Sequence, residues 1–165
     1  MARVSNEELL DMAKTLGHML QEKGWMVTTA ESCTGGWLAE VITAVPGSSA
    51  WFDRGFITYS NQSKQDMLAV GTATLEAHGA VSEETVQEMA AGALKNSRAQ
   101  ISASISGIAG PGGGTRQKPV GMVCNGWALA DGTVLSSTCR LSGDREEIRS
   151  RAVAAALRGL IELAS

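Results

Sequence analysis

Histidine occurs only twice in 165 residues, at His18 and His78, so a histidine metal site or a histidine-centred triad has almost no material. Cysteine is nearly as scarce. Cys33, Cys124 and Cys139 are odd in number and never stand in a CxxC pair, which excludes a zinc ribbon and points to a reducing compartment. Aromatic residues make up 4%, too few for base-stacking platforms. Basic residues are not in excess either. Fourteen Lys and Arg against seventeen Asp and Glu leave a net charge of -3, which argues against a dedicated nucleic-acid binder. No apolar run approaches the roughly 20 residues of a membrane span. The opening stretch MARVSNEELLDMAK is acidic and amphipathic, unlike a secretory leader. A cytoplasmic protein with neither nucleic acid nor membrane as partner is expected.

The chain is otherwise of ordinary globular composition, 44% hydrophobic and 19% charged. Its length predicts one domain spanning residues 1–165. Ser5 followed by Glu8 is a capping-box pattern, and Leu9, Met12, Ala13, Leu16 and Leu20 continue at helical spacing to Gly24. Trp25 to Ala30 reads as a strand, Glu31 to Gly36 as a polar turn, and Trp37 to Val45 as a helix. Trp51 to Tyr59 is a second strand, with Gly55 a candidate bulge. Short helices are predicted over 61–70 and 74–78, and a longer one follows the Ser82 cap. Ile101 to Ile108 is a strand running into the glycine-rich loop 109–119. Asp131-Gly132 turns a hairpin between 120–130 and 133–141, and Asp144 with Glu147 opens a last helix. Helices interleaved with about five strands predict an α/β mixed sheet covered on both faces.

Three places hold residues that could do chemistry. Ser32 lies in AESCTGG, a strand-to-helix turn where backbone N–H groups lack intrahelical partners and can stabilise an oxyanion. It equally suits a plain N-cap. A nucleophilic serine needs a base, and with histidine so rare the candidate is Lys64 in TYSNQSK. An amine serves as base only if burial or neighbouring cations lower its pKa, whereas most lysines are solvated. Tyr59, the one tyrosine, sits in the same segment. The second place, SISGIAGPGGG from Ser104 to Gly114, is too glycine-dense for a simple turn but lacks the lysine of a Walker A loop and does not match GxGxxG. In the third, Gly143-Asp144-Arg145, the arginine can bind a phosphate through two N–H groups or lie free on the surface.

In order along the chain, AESCTGG, GSSAWFDRGFITYSNQSK, GAVSEETVQEMAAGAL, SISGIAGPGGG, KPVG and GDRE closely resemble the nicotinamide-nucleotide amidase family. The domain of that family also forms the C-terminal part of the competence/damage-inducible protein CinA, and this chain looks like the stand-alone form. The resemblance implies a three-layer αβα sandwich with a mixed, mostly parallel central sheet. It also implies hydrolysis of the carboxamide of nicotinamide mononucleotide to nicotinate mononucleotide and ammonia, in NAD recycling. Carried onto matching positions, Ser32 is the nucleophile, Lys64 the base, and Tyr59 and Thr34 aids to proton movement or orientation. Thr34, Gly35 and Gly36 would serve the oxyanion and substrate, while Ser106, Gly107 and Arg145 would bind the substrate or its phosphate. No cofactor or metal is implied, and a homodimer is. The alternative is a non-catalytic ligand-binding or regulatory paralogue. Two departures stand out: Ser106 replaces a frequent threonine, and Cys124-Asn125 replace larger aromatics in MVCNGWALA.

Overall fold

In the computed structural model, which describes residues 3–165, α1 (Asn6–Lys23) begins where the sequence places its cap. The Ser5 hydroxyl accepts the Glu8 N–H at 3.1 Å, and the Glu8 carboxylate accepts the Ser5 N–H at 2.8 Å. Gly24 ends the helix in the left-handed region at φ 66°, open to glycine without steric cost. Leu9, Ala13, Leu16 and Leu20 are fully buried, and Met12 packs at the edge of the same core.

The sheet is built from β1 (Val27–Glu31), β2 (Phe52–Ile57), β3 (Ile101–Gly107), β4 (Met122–Leu129) and β5 (Val134–Arg140). Their order is β2-β1-β3-β4-β5, with β2, β1 and β3 parallel and β4 and β5 joined antiparallel. Two of the pairings are therefore parallel and two antiparallel. Only β4 runs against the other strands, so the sheet is mixed with one dominant direction, as expected. β1 lies between β2 and β3 and is buried along its whole length. The irregularity between β1 and β2 falls at Asp53, skipped between Phe52 and Arg54, and not at Gly55. Gly55 is instead a close approach, since a Cβ there would lie 2.8 Å from Thr29 Oγ1.

α1, α2 (Trp37–Thr43) and α6 (Arg145–Ala164) cover one face of the sheet around a core that includes Leu38, Ile42, Trp51, Ile105 and Leu157. On the other face lie α3 (Asn61–Leu68), α4 (Thr72–His78) and α5 (Glu83–Lys95), packed on Ala30, Val86, Met89 and Cys124. This is the three-layer αβα sandwich. The α5 layer sits close because β3 presents small hydroxyl residues to it. Ser102 and Ser104 are fully buried and donate to the Ala90 and Val86 carbonyls at 2.8 and 2.6 Å. Gly92 performs the same service between helices. A Cβ at Gly92 would stand 2.0 Å from the Leu68 carbonyl oxygen, so only glycine lets α3 rest on α5. No helix among the described residues is long and apolar enough to cross a membrane.

Candidate active site

Because β1 and β2 are parallel neighbours, their C-terminal ends emerge at the same edge of the sheet, the usual place for ligands in α/β folds. Glu31 pairs with Ile57 in register, and the Thr58 N–H continues the ladder onto the Glu31 carbonyl at 2.8 Å. The next residues of the two strands, Ser32 and Tyr59, are thereby brought side by side. The Ser32 N–H is held by the Ile105 carbonyl of β3 at 2.9 Å. Its hydroxyl lies 3.5 Å from the Tyr59 carbonyl.

Ser32 is not the helix cap. Gly36 occupies that position at φ 108° and has no side chain to cap with. The capping group is the buried carboxylate of Glu31, which sequence reasoning passed over. Its Oε1 accepts the Thr34 hydroxyl at 2.7 Å and the Leu38 N–H at 2.9 Å, and its Oε2 accepts the Ala39 N–H at 3.1 Å. An anion at the positive end of α2 is favourable, and the three donors meet its desolvation. The available signal was an acidic residue closing a buried strand ahead of a glycine pair. With the cap supplied from elsewhere, the Ser32 hydroxyl is left for the cleft.

α3 starts at the Ser60 cap, whose side chain accepts the Ser63 N–H at 3.0 Å. The following turn carries Lys64 inward, where it is 1% exposed. Its Nζ donates to Ser32 Oγ at 3.2 Å and to the Thr58 carbonyl at 3.0 Å. Both partners are uncharged. Burial therefore lowers the Lys64 pKa from the ordinary lysine range, because the cation gives up water without gaining an anion. The solvated-lysine reading fails. Beside it, burial pushes the Cys33 thiol up to about 11, so at neutral pH it is uncharged.

The cleft over this pair has a volume of about 300 Å³. Ser32, Tyr59, Lys64, Ser106, Gly107 and Arg145 all line it, together with the glycine-rich segment at Gly110, Gly112 and Gly113. Arg145, in the first turn of α6, donates to the Gly110 carbonyl at 2.6 Å and to the Tyr59 hydroxyl at 3.3 Å. It closes the rim between the loop and the strand end. Tyr59 is 62% exposed, and its hydroxyl is engaged with Arg145 rather than with the Ser32–Lys64 pair. Thr34, Gly35 and Gly36 do not line the cleft, contrary to expectation. The Thr34 hydroxyl is spent on Glu31 and the Gly35 N–H on the Ser32 carbonyl, because the positive φ angles of Gly35 and Gly36 turn the chain back toward α2. Among the described residues, the N–H groups of Cys33, Thr34 and Gly36 have no acceptor in another residue.

A three-layer α/β fold with a buried serine–lysine pair at the ends of its parallel strands defines the class of protein. The model of the CinA C-terminal domain matches residues 9–164, and the chain belongs to that family. It is 52% identical over 157 residues to the nicotinamide-nucleotide amidohydrolase PncC of Escherichia coli K12, covering 95% of both chains. Identity to the PncC of Enterobacter agglomerans is also 52%, over 90% of this chain and 91% of that one. The crystal structure of the competence/damage inducible protein CihA from Agrobacterium tumefaciens superposes with a TM-score of 0.94. It shares 44% identity, over 100% of this chain and 99% of that one.

Proposed function

We propose that this chain hydrolyses the carboxamide of nicotinamide mononucleotide, releasing ammonia and nicotinate mononucleotide, with Ser32 as nucleophile and Lys64 as its base. The observation that carries the reading is the 3.2 Å contact between Lys64 Nζ and Ser32 Oγ in surroundings that lower the lysine pKa. The similarity to amidohydrolases named for nicotinamide nucleotide supports the substrate.

Neutral Lys64 takes the Ser32 proton as Oγ bonds to the carboxamide carbon, and the carbonyl oxygen becomes an oxyanion. The N–H of Cys33, which lines the cleft beside Ser32 and has no acceptor in another described residue, is the donor for it. The intermediate collapses with cleavage of the C–N bond, and the Lys64 ammonium returns its proton to the leaving nitrogen, which departs as ammonia. Lys64, neutral again, takes a proton from water. The hydroxide adds to the acyl carbon, Ser32 Oγ leaves with the proton from Lys64, and the carboxylic acid is released. Arg145 and the glycine-rich loop hold the phosphate at the rim, with Tyr59 orienting the guanidinium. The protein acts in the cytoplasm as a one-domain homodimer, without metal or cofactor.

Ammonia release from nicotinamide mononucleotide by purified protein, with free nicotinamide as control, tests this. Ser32→Ala is expected to lower turnover by at least about a thousandfold while leaving thermal stability near that of the parent chain. Binding of the mononucleotide without turnover by the unaltered protein would overturn the enzymatic reading in favour of a ligand-binding paralogue. Full ammonia release by Ser32→Ala would overturn the assignment of the nucleophile.

A further inference from the structure

Arg149 stands one helical turn beyond Arg145 on α6 and does not reach the cleft. Its guanidinium is nevertheless tied to the nucleophile turn at two points. Nε donates to the Cys33 carbonyl at 3.0 Å and Nη2 to the Thr34 carbonyl at 3.1 Å. The group also packs on the Trp37 ring at 5.3 Å from its centroid, which fixes the plane of the fork. These two carbonyls immediately follow Ser32.

A trans peptide is planar, so its C=O and N–H point in opposite directions. Drawing the Cys33 carbonyl toward α6 therefore sets the direction of the Thr34 N–H in the same peptide unit. The Thr34 carbonyl, held likewise, sets the Gly35 N–H on the Ser32 carbonyl at 3.0 Å. Across the Ser32–Cys33 peptide this fixes the N–H of Cys33, which lines the cleft and, among the described residues, has no acceptor in another residue. A cation on the carbonyl oxygen also polarises the peptide and strengthens its N–H as a donor. From the other side Glu31 holds the Thr34 hydroxyl and the first free N–H groups of α2. The turn is thus clamped between a cation on its carbonyls and an anion on its donors.

We infer that Arg149 is a positioning residue for catalysis, holding the turn after Ser32 so that the Cys33 N–H at the cleft wall faces the oxyanion formed on the substrate. The inference rests on the Ser32–Lys64 reading above and adds a residue that never touches the substrate. Its contribution shows in turnover rather than in substrate binding, because the oxyanion exists only after Ser32 has attacked. Lysine cannot replace it, since a single ammonium lacks the planar fork that spans two carbonyls.

The test compares Arg149→Lys and Arg149→Ala with the parent chain in ammonia release from nicotinamide mononucleotide, with urea unfolding run on each. Loss of one oxyanion donor costs roughly 100- to 1,000-fold in kcat, and misorienting it is expected to cost about 10- to 100-fold. KM is expected to change less than about threefold, and the acid limb of the kcat/KM profile to stay in place, because Lys64 keeps its surroundings. Added guanidinium ion is expected to recover part of the kcat of Arg149→Ala, an effect that mere loosening of the fold does not produce. Parent-like kcat in a folded Arg149→Lys overturns the inference. So does a loss that appears in KM alone, or one that guanidinium leaves untouched while urea stability falls in proportion. If Ser32→Ala is inactive while Arg149→Lys is fully active, only this inference falls; if Ser32→Ala is active, the underlying mechanism falls.

Discussion

Replacing Lys64 by methionine separates its chemical role from its packing role. Methionine is a straight apolar chain that fills most of the lysine stem volume without a titrating group. Lys64 is 1% exposed, and among the described residues its Nζ hydrogen-bonds only to the Ser32 hydroxyl and the Thr58 carbonyl. Two opposing effects on stability follow. Losing the donor to a buried carbonyl costs about 1 kcal/mol. Removing a buried ammonium returns about 1.4 kcal/mol for each unit by which the folded pKa lies below the unfolded one. The folded pKa is the lower of the two, so between them the unfolded chain binds more protons and the stability of the parent rises with pH. Lys64→Met lacks that slope. Its stability relative to the parent is therefore expected to be highest below the folded pKa and to fall as pH climbs toward about 10.4, the unfolded lysine value. Urea midpoints across pH 6 to 10.5 read this directly. The same variant is expected to lose at least about 100-fold in ammonia release, the ordinary contribution of a positioned base. A relative stability that grows with pH, or retained turnover, would refute the reasoning.

Glu31→Gln keeps the shape but puts an amide NH2 against groups that are themselves donors. It is expected to cost about 2–3 kcal/mol in urea unfolding and to lower kcat as the α2 end loosens, whereas Glu31→Asp, too short to reach all three donors, lies between. Asn125 in β4 is fully buried with both amide atoms unpartnered among the described residues, so Asn125→Leu is expected to stabilise by about 1–3 kcal/mol in thermal and urea melts; destabilisation would show that the amide is satisfied in solution.

Much of the scaffold was readable residue by residue. The Ser5–Glu8 and Ser82 caps, the Asp131-Gly132 hairpin and the apolar face of α1 all rest on contacts within a few positions of each other. Such interactions carry a local pattern of residue types, and a pattern is legible. Gly55 was misread because a bulge and a close approach both call for glycine. Glu31 was missed because its partners lie three to eight residues ahead and look like ordinary backbone until the helix forms. Arg149 escaped notice for a stronger reason, since its acceptors are main-chain carbonyls 115 and 116 positions away, which no side-chain pattern marks.

The sequence by itself determined where helices and strands begin, that serine and lysine were the available nucleophile and base, and which family motifs are present. Only the tertiary structure decided that the two groups, 32 positions apart, meet in a dry place. That meeting depends on β1 and β2 pairing in parallel and on Gly92 letting α3 settle against α5. Burial of the amine, and with it the lowered pKa, arises from surroundings assembled out of distant segments. Local propensity carries no record of the dielectric in which a side chain will finally stand.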